Sequence, residues 1–360
     1  MSFVLNPFSS VISEDIETIL KKELPWQQLA GKHVVVTGAS GMLASYLVET
    51  LLNVPGVRVT GTVRNTEKAW NRFRKYSNHP DFQLVSVDYS KPIHLPPCNI
   101  IIHAASIPRP DTKIPVDVLE PNIIGTWNLL QYARQCPAFE QFVFFSSHAV
   151  YGDNTGSERP IRETDFFPIP FTDVKSCYSV GKLAGETICM SFKAQYGISV
   201  KTLRYVHTYG PGMDLEHDPR SFVDFIRRVL DGKNIELLSS GEAKRSFCYI
   251  ADATEAFFRI LFLGKSGEAF NISNPGETIS IYELAEMLVS LFPDQGLKVV
   301  RKNNKNSDGY APLGKIDLQD ISKLTQLQWT AETPVREGFT RTIHAYVKKM
   351  NCDRRINGLS

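Results

Sequence analysis

The chain has 360 residues, 42% hydrophobic and 22% charged, ordinary globular values at a length that suits two lobes of unequal size. A net charge of +2 argues against a nucleic-acid or acidic-membrane partner. Six scattered cysteines with no CxxC pair predict reduced thiols in a cytoplasmic protein and no metal site, and the lack of an 18-residue apolar run or an export leader predicts neither membrane insertion nor secretion.

Residues 13–24 put Ile16, Ile19, Leu20 and Leu24 on one helical face, with Ser13 as N-cap and acids in the first turn; a docking helix within residues 1–30 is predicted. From Lys32 the chain alternates β-branched runs with amphipathic segments: HVVVTG, a helix over Leu43–Leu52, VRVTGTV, FQLVSV, NIIIHAA, a helix near 121–135, and FVFFSS. That rhythm specifies βαβ units, with each short apolar strand buried on both faces. The predicted fold is therefore α/β, a Rossmann-type doubly wound parallel sheet over 31–206 and about 246–270. After a Pro- and charge-rich loop comes a long helix from Ser176 to Tyr196, which Gly197 ends, then SVKTLRYV. Residues 207–245 and 271–350 form a smaller α+β lobe for substrate, with helices at 221–231 and 252–263, a segment ELLSSGEAKRSFCYI, and exposed DQG and NNKNSDG loops.

In TGASGMLASYL the first strand ends at Thr37, and Gly38, Gly41 and Ala44 follow the spacing G-x-x-G-x-x-A. Gly38 permits the tight turn, Gly41 lets backbone amides approach a pyrophosphate, and Ala44 lets the helix pack closely on the strand. A strand before, a helix after and a second strand some twenty residues on supply the context this motif requires. The second strand ends without the carboxylate that receives a ribose 2′-hydroxyl; Arg64 stands there instead, and a guanidinium pairs with a 2′-phosphate. The cofactor is NAD or NADP, with NADP slightly favoured. Asp88, before Tyr89, either bonds the adenine edge or forms a turn.

Tyr178 and Lys182 lie four apart in the long helix and share a face. An ammonium beside a phenol favours the phenolate, so Tyr178 can serve as acid or base. Ser147 ends a strand where the carboxyl edge of a parallel sheet meets the cleft, and its hydroxyl can hold a reacting oxygen.

At these residues the sequence resembles the extended short-chain dehydrogenase/reductase family, the nucleotide-sugar epimerases, dehydratases and decarboxylases. The likeness runs from Lys32 to Tyr346 and rests on TGASGMLA, VDYS, HAAS (103–106), NIIGTWNLL (122–130), SSHAVYG (146–152), YSVGK (178–182), RYVHTYGPG (204–212), RSFCYIAD (245–252) and NISNP (271–275). It implies a catalytic Ser147, Tyr178 and Lys182, with Lys182 also bonding the nicotinamide ribose. It implies cofactor contacts from Gly38, Ser40, Gly41, Met42, Leu43, Asp88, Tyr89, Ala104, Ala105, Asn122 and Tyr205. Arg245 would clamp the substrate's diphosphate by bidentate pairing, with Arg220 a second candidate. The resemblance further implies a homodimer built through the 121–135 and 176–196 helices.

Within the family the match is strongest to UDP-glucuronate decarboxylases, which carry a glutamate just before V-Y-G. Here that residue is Ala149, and the 4,6-dehydratases' Asp-Glu pair is His148-Ala149. Alanine cannot do acid–base work. The family's usual asparagine in RYVHTYGPG is His207, and both His207 and His148 are expected to contact substrate. The reaction left is hydride transfer at sugar C4 with Tyr178 exchanging the hydroxyl proton. A nucleotide-sugar 4-epimerase or 4-ketoreductase is expected; the alternatives are a decarboxylase or dehydratase, or, in another class, a silent dinucleotide-binding sensor.

Overall fold

The computed structural model describes residues 9–107, 113–153, 159–302 and 316–356. The NNKNSDG loop lies outside them. Val34, Val35 and Val36 are β-branched and fully enclosed, and His33–Thr37 forms strand β1 with every residue buried. Before it, helix α1 spans Ser9–Leu20, starting four residues earlier than the capping pattern predicts. Val11 and Ile12 extend its apolar face into the protein, and burial of two more side chains outweighs the local preference of Ser13 for a cap.

The chain continues through α2 (Met42–Leu52), β2 (Arg58–Val63), α3 (Thr66–Arg72), β3 (Phe82–Ser86), β4 (Ile100–His103), α4 (Pro115–Glu120), α5 (Thr126–Ala133), β5 (Gln141–Ser147), α6 (Cys177–Tyr196) and β6 (Val200–Tyr205). A π-helical turn, Pro121–Gly125, joins α4 to α5, so the helix expected at 121–135 is longer and bulged. Pro121 has no N–H to give the helical ladder, and a wider turn accommodates that loss. Gly197 ends α6 at φ +71° in the left-handed conformation, as predicted.

Beyond β6 come β7 (Thr208–Tyr209), α7 (Ser221–Leu230), β8 (Ile235–Leu237), β9 (Lys244–Ser246), β10 (Cys248–Tyr249), α8 (Ile250–Leu263), β11 (Ala269–Ile272), β12 (Thr278–Ser280), α9 (Ile281–Ser290), β13 (Val299–Arg301), β14 (Ile316–Asp317), α10 (Ser322–Gln326) and α11 (Val335–Ile356). The segment ELLSSGEAKRSFCYI thus contributes to three short strands.

Seven strands form one parallel sheet in the order β11-β6-β5-β4-β1-β2-β3. Alternate residues of its central strands feed two cores. Val34, Val36, Ile100, Ile102, Val143 and Phe145 pack with α2 and α8. Val35, Ile101, Phe142 and Phe144 pack with α5 and α6. Two-sided burial is what continuous apolar strands predict. A third core, including Phe222, Phe247 and Phe339, gathers the later elements and takes Ile12 and Ile16 of α1. The chain winds outward from β1 through β2 and β3, then in the opposite direction from β4 through β5 and β6. The order reverses between β1 and β4, and the crevice at their carboxyl ends is where a doubly wound sheet holds its ligand.

Candidate active site

Gly38 leaves β1 at φ +61°, and a Cβ added there would lie 2.8 Å from the Ala105 Cα. Only glycine lets the β1–α2 turn pass this close to the end of β4. Thr37 fixes that approach: its Oγ1 accepts from the amides of Ala104 and Ala105 at 3.0 and 2.9 Å, and meets His103 Nδ1 at 2.8 Å. Gly41 begins α2 with no side-chain cap, while Ser40 and Gly41 are exposed and Met42 and Leu43 half-buried. The uncapped amides and the positive end of the helix dipole suit a pyrophosphate. The glycine cradle therefore fits a dinucleotide.

The other cofactor candidates make contacts of their own within the protein. The exposed Asp88 carboxylate accepts from the Ser90 amide (3.0 Å) and hydroxyl (2.6 Å) and pairs with Lys91, and these bonds hold it down at about 2. Of its two readings, the turn is the one displayed. Tyr89 packs its ring against the α5–α6 core and hydrogen-bonds Thr62 with its hydroxyl. Asn122 is fully buried on the π turn, its Nδ2 donating to Val118 O at 2.8 Å. Tyr205 sends its ring into the α2–α8 core beside Phe145, and its carbonyl, rather than its phenol, meets a site residue, His148 Nδ1, at 3.3 Å. Arg64 is exposed at the end of β2.

Ser147 ends β5, and Tyr178 and Lys182 occupy the first turns of α6; all three are buried. Tyr178 lies within electrostatic reach of the Ser147 hydroxyl, whose Oγ accepts from the Ala149 amide at 3.2 Å. Burial raises the Tyr178 phenol, against the pull of the Ser147 hydroxyl and of the Arg220 charge. Here the structure departs from the sequence expectation, in which Lys182 sets the phenol's acidity. The Lys182 ammonium instead donates to the Phe145 carbonyl at 2.5 Å, and its own burial draws it down to about 7. Ala149 packs beside Tyr178, Cys177 and Val118, so this part of the wall is apolar.

His148 and His207 face each other with ring centroids 5.1 Å apart, and Phe247 flanks His207. His207 has φ +27°, a region that asparagine, aspartate and histidine enter more readily than other residues with a Cβ. That backbone is one a histidine accepts at position 207. Arg220 caps α7 while its guanidinium holds Asp218 at 2.6 Å. Arg245 is buried on β9 and donates to the Lys244 carbonyl at 2.7 Å. Among the described residues no cluster of His, Cys, Asp and Glu could hold a metal ion.

The sequence reading assigned no role to a buried polar chain under α6, in which Glu186 meets Ser146 and Arg204, and Arg204 meets Tyr151. Its signals were present: Glu186 continues the Tyr178–Lys182 stripe by four residues, and a charge inside a buried parallel strand, Arg204, requires a partner.

The sequence profile of the NAD dependent epimerase/dehydratase family matches residues 34–273. The chain belongs to this family. As a family member it is an NAD-dependent enzyme of nucleotide-sugar chemistry. It is similar to UDP-glucuronic acid decarboxylase 6 of Arabidopsis thaliana, 31% identical over 85% of this chain and 86% of that protein. It is similar also to UDP-glucuronic acid decarboxylase 1 of Xenopus tropicalis, 28% identical over 89% of this chain and 73% of that one. Among solved structures, a mutant UDP-glucuronic acid 4-epimerase from Bacillus cereus, in complex with UDP-4-deoxy-4-fluoro-glucuronic acid and NAD, superposes with TM-score 0.74 at 26% identity, covering 88% of this chain and 99% of that one. The UDP-glucose 4-epimerase of Thermotoga maritima shares the fold, with TM-score 0.74 at 22% identity over 88% and 99% of the two chains. No helix among the described residues is long and apolar enough to cross a membrane.

Proposed function

We propose that this enzyme oxidises C4 of a UDP-linked sugar, with UDP-glucuronic acid as the leading substrate, and re-reduces the 4-ketone to complete a 4-epimerisation. UDP-glucuronic acid is named both for the decarboxylase relatives and for the Bacillus cereus epimerase. The observation that carries the reading is Tyr178, buried near the Ser147 hydroxyl and walled by the Ala149 methyl. This wall offers a base for the C4 hydroxyl and, at position 149, no carboxylate for chemistry at C5.

The glycine turn and the uncapped α2 would hold NAD, which takes the C4 hydride and returns it. Ser147 holds the reacting oxygen, Tyr178 removes its proton and later restores it, and Lys182 supplies positive charge beside the phenol. Arg220 and Arg245 supply charge for the diphosphate, and His148 and His207 face the sugar. Arg64, with no carboxylate between Val63 and Thr66, supports acceptance of NADP as well as NAD. The ketoreductase variant of the reading is the same chemistry with the ketone entering or leaving. Exposed Ile124 and Trp127 near α5 and Leu183 and Met190 on α6 support a homodimer through these helices, which light scattering tests.

A second reading has its own support, the decarboxylase relatives. Oxidation at C4 of a uronic acid makes a β-keto acid, which loses carbon dioxide readily, so the two outcomes share their first step. Supplying UDP-, dTDP-, GDP- and CDP-sugars with NAD and weighing the products separates them. Conversion without mass change supports epimerisation, loss of carbon dioxide supports the decarboxylase, a two-hydrogen change supports the ketoreductase, and no conversion by a cofactor-loaded protein supports a sensor.

A further inference from the structure

Tyr178, Lys182 and Glu186 stand at successive fourth positions of α6, so their side chains form one stripe running from the cleft into the protein. At its inner end the Glu186 carboxylate accepts from Arg204 Nε at 2.9 Å and Nη2 at 2.6 Å, and from the Ser146 hydroxyl at 2.5 Å. Ser146 directly precedes Ser147. Arg204 also donates to the Tyr151 hydroxyl (3.1 Å) and the Glu163 carbonyl (2.8 Å), and Tyr151 donates to Asn271 Oδ1 at 2.5 Å. Asn271 in turn donates to the carbonyls of Ile161 and Asp320, both at 3.0 Å. The ion pair thus ties the catalytic helix, the end of β5, β6, β11 and the loop around residue 161.

We propose that Glu186 is a positioning residue for catalysis, supplying the counter-charge for Lys182 and pinning the strand end that presents Ser147. A buried ion pair is costly to desolvate, and apolar residues of similar volume often serve stability as well; stability alone therefore does not account for it. Lys182 supplies the functional reason. Its direct partner is a neutral carbonyl, and the Phe144 ring lies 5.1 Å from its ammonium. The titratable and charged groups on the elements around it are Tyr178 and Glu186 on α6, His103 on β4, and Arg204 behind Glu186 on β6. Burial pulls Lys182 toward neutrality, and the opposing charge is that of Glu186. Without it the lysine loses its proton at a lower pH, and the positive charge beside Tyr178 goes with it.

The proposal rests on Lys182 serving the C4 chemistry, and its test also has a readout independent of turnover. Nitrogen-15 NMR of labelled lysine side chains follows the Lys182 titration in wild type, Glu186→Gln, Glu186→Asp and the double variant Glu186→Gln/Arg204→Met, with the basic limb of the pH–rate profile measured alongside. In Glu186→Gln the titration should fall by about one unit, because the anion is gone and the Arg204 cation is stranded. The double variant should lie between that value and wild type, and Glu186→Asp should stay near wild type. The basic limb should move with the titration. A Lys182 titration unchanged in Glu186→Gln, with only thermal stability reduced, would overturn the proposal. If the single variant does not fold, a double variant titrating as wild type would overturn it. Wild-type protein converting no UDP-sugar would sink the functional reading instead, while the NMR titration still decides the role of Glu186.

Discussion

The Lys182 ammonium donates to the Phe145 carbonyl at 2.5 Å and lies 5.9 Å from the centre of the Tyr178 ring. Lys182 is therefore anchored to β5, the strand that ends in Ser147, with its ammonium close to the Tyr178 ring. Three residues of one site hang on two elements, α6 and β5, whose relative position the Lys182 anchor helps to fix.

Replacing Lys182 by methionine should lower kcat by about 100-fold to 10,000-fold, the range expected for disabling positioned acid–base catalysis. The same substitution should leave the cofactor-free protein as stable or more so, since it replaces a buried amine whose charged form burial disfavours with an apolar side chain of similar length. Steady-state kinetics beside urea unfolding checks both halves. Stability lost in step with activity would make Lys182 a structural residue.

Gly38→Ala should weaken NAD binding by about 100-fold or more. The new methyl meets the Ala105 backbone at 2.8 Å and the residue is held at φ +61°, a combined penalty of about 3 kcal/mol on the loop geometry. Gly197→Ala is the matched control, with φ +71° and nothing within 4 Å of the added Cβ. It should cost about 1 kcal/mol of stability and leave NAD affinity unchanged when both are titrated by quenching of protein fluorescence.

Asp15 on α1 accepts from the hydroxyls of Tyr46 (2.9 Å) and Tyr249 (2.8 Å) and from Arg341 (2.7 Å). It joins the glycine-turn helix α2, strand β10 and helix α11 through one buried carboxylate. Asp15→Ala strands two buried phenols and a partly exposed guanidinium and should cost about 3 kcal/mol in urea unfolding. A loss below about 1 kcal/mol would show that α1 contributes apolar burial alone.

His103 is buried at the end of β4, bonded to Thr37 and to the Pro121 carbonyl at 3.0 Å, and burial with the Lys182 charge pulls it down to about 3. Its folded value lies below its unfolded one, so between about pH 6.5 and about pH 3 the unfolded chain binds the extra proton. Stability is therefore present above the unfolded value and lost as pH falls through that window, by about 3 kcal/mol at about pH 4. His103→Gln should flatten the fall in stability between about pH 7 and about pH 4.5; an equally steep fall would place the acid sensitivity elsewhere.

The sheet was legible because its evidence is periodic. Three successive valines before Thr37 and the runs NIII and FVFF could only be strands buried on both faces, and Gly38 and Gly41 marked the turn between the first strand and its helix. The Tyr178, Lys182 and Ser147 trio was legible through spacing and strand ends. What the sequence concealed depended on packing. Ser13 looked like a cap until Val11 and Ile12 found apolar partners. Asp88 was open to two readings, an adenine contact or a turn, and only packing displays the two bonds to Ser90 that complete the turn. The acidity of Tyr178 could not be read from its neighbour's position, because burial of the phenol itself raises it.

The central claim is hydride transfer at C4 with Tyr178 as proton carrier, and the most direct measurement is a single turnover with UDP-glucuronic acid deuterated at C4. NAD-loaded wild-type protein should show a transient rise in reduced-nicotinamide absorbance, slower with the deuterated substrate, and Tyr178→Phe should show almost none. Full turnover by Tyr178→Phe, or conversion at equal rate from labelled and unlabelled substrate with no reduced nicotinamide formed, would contradict the account.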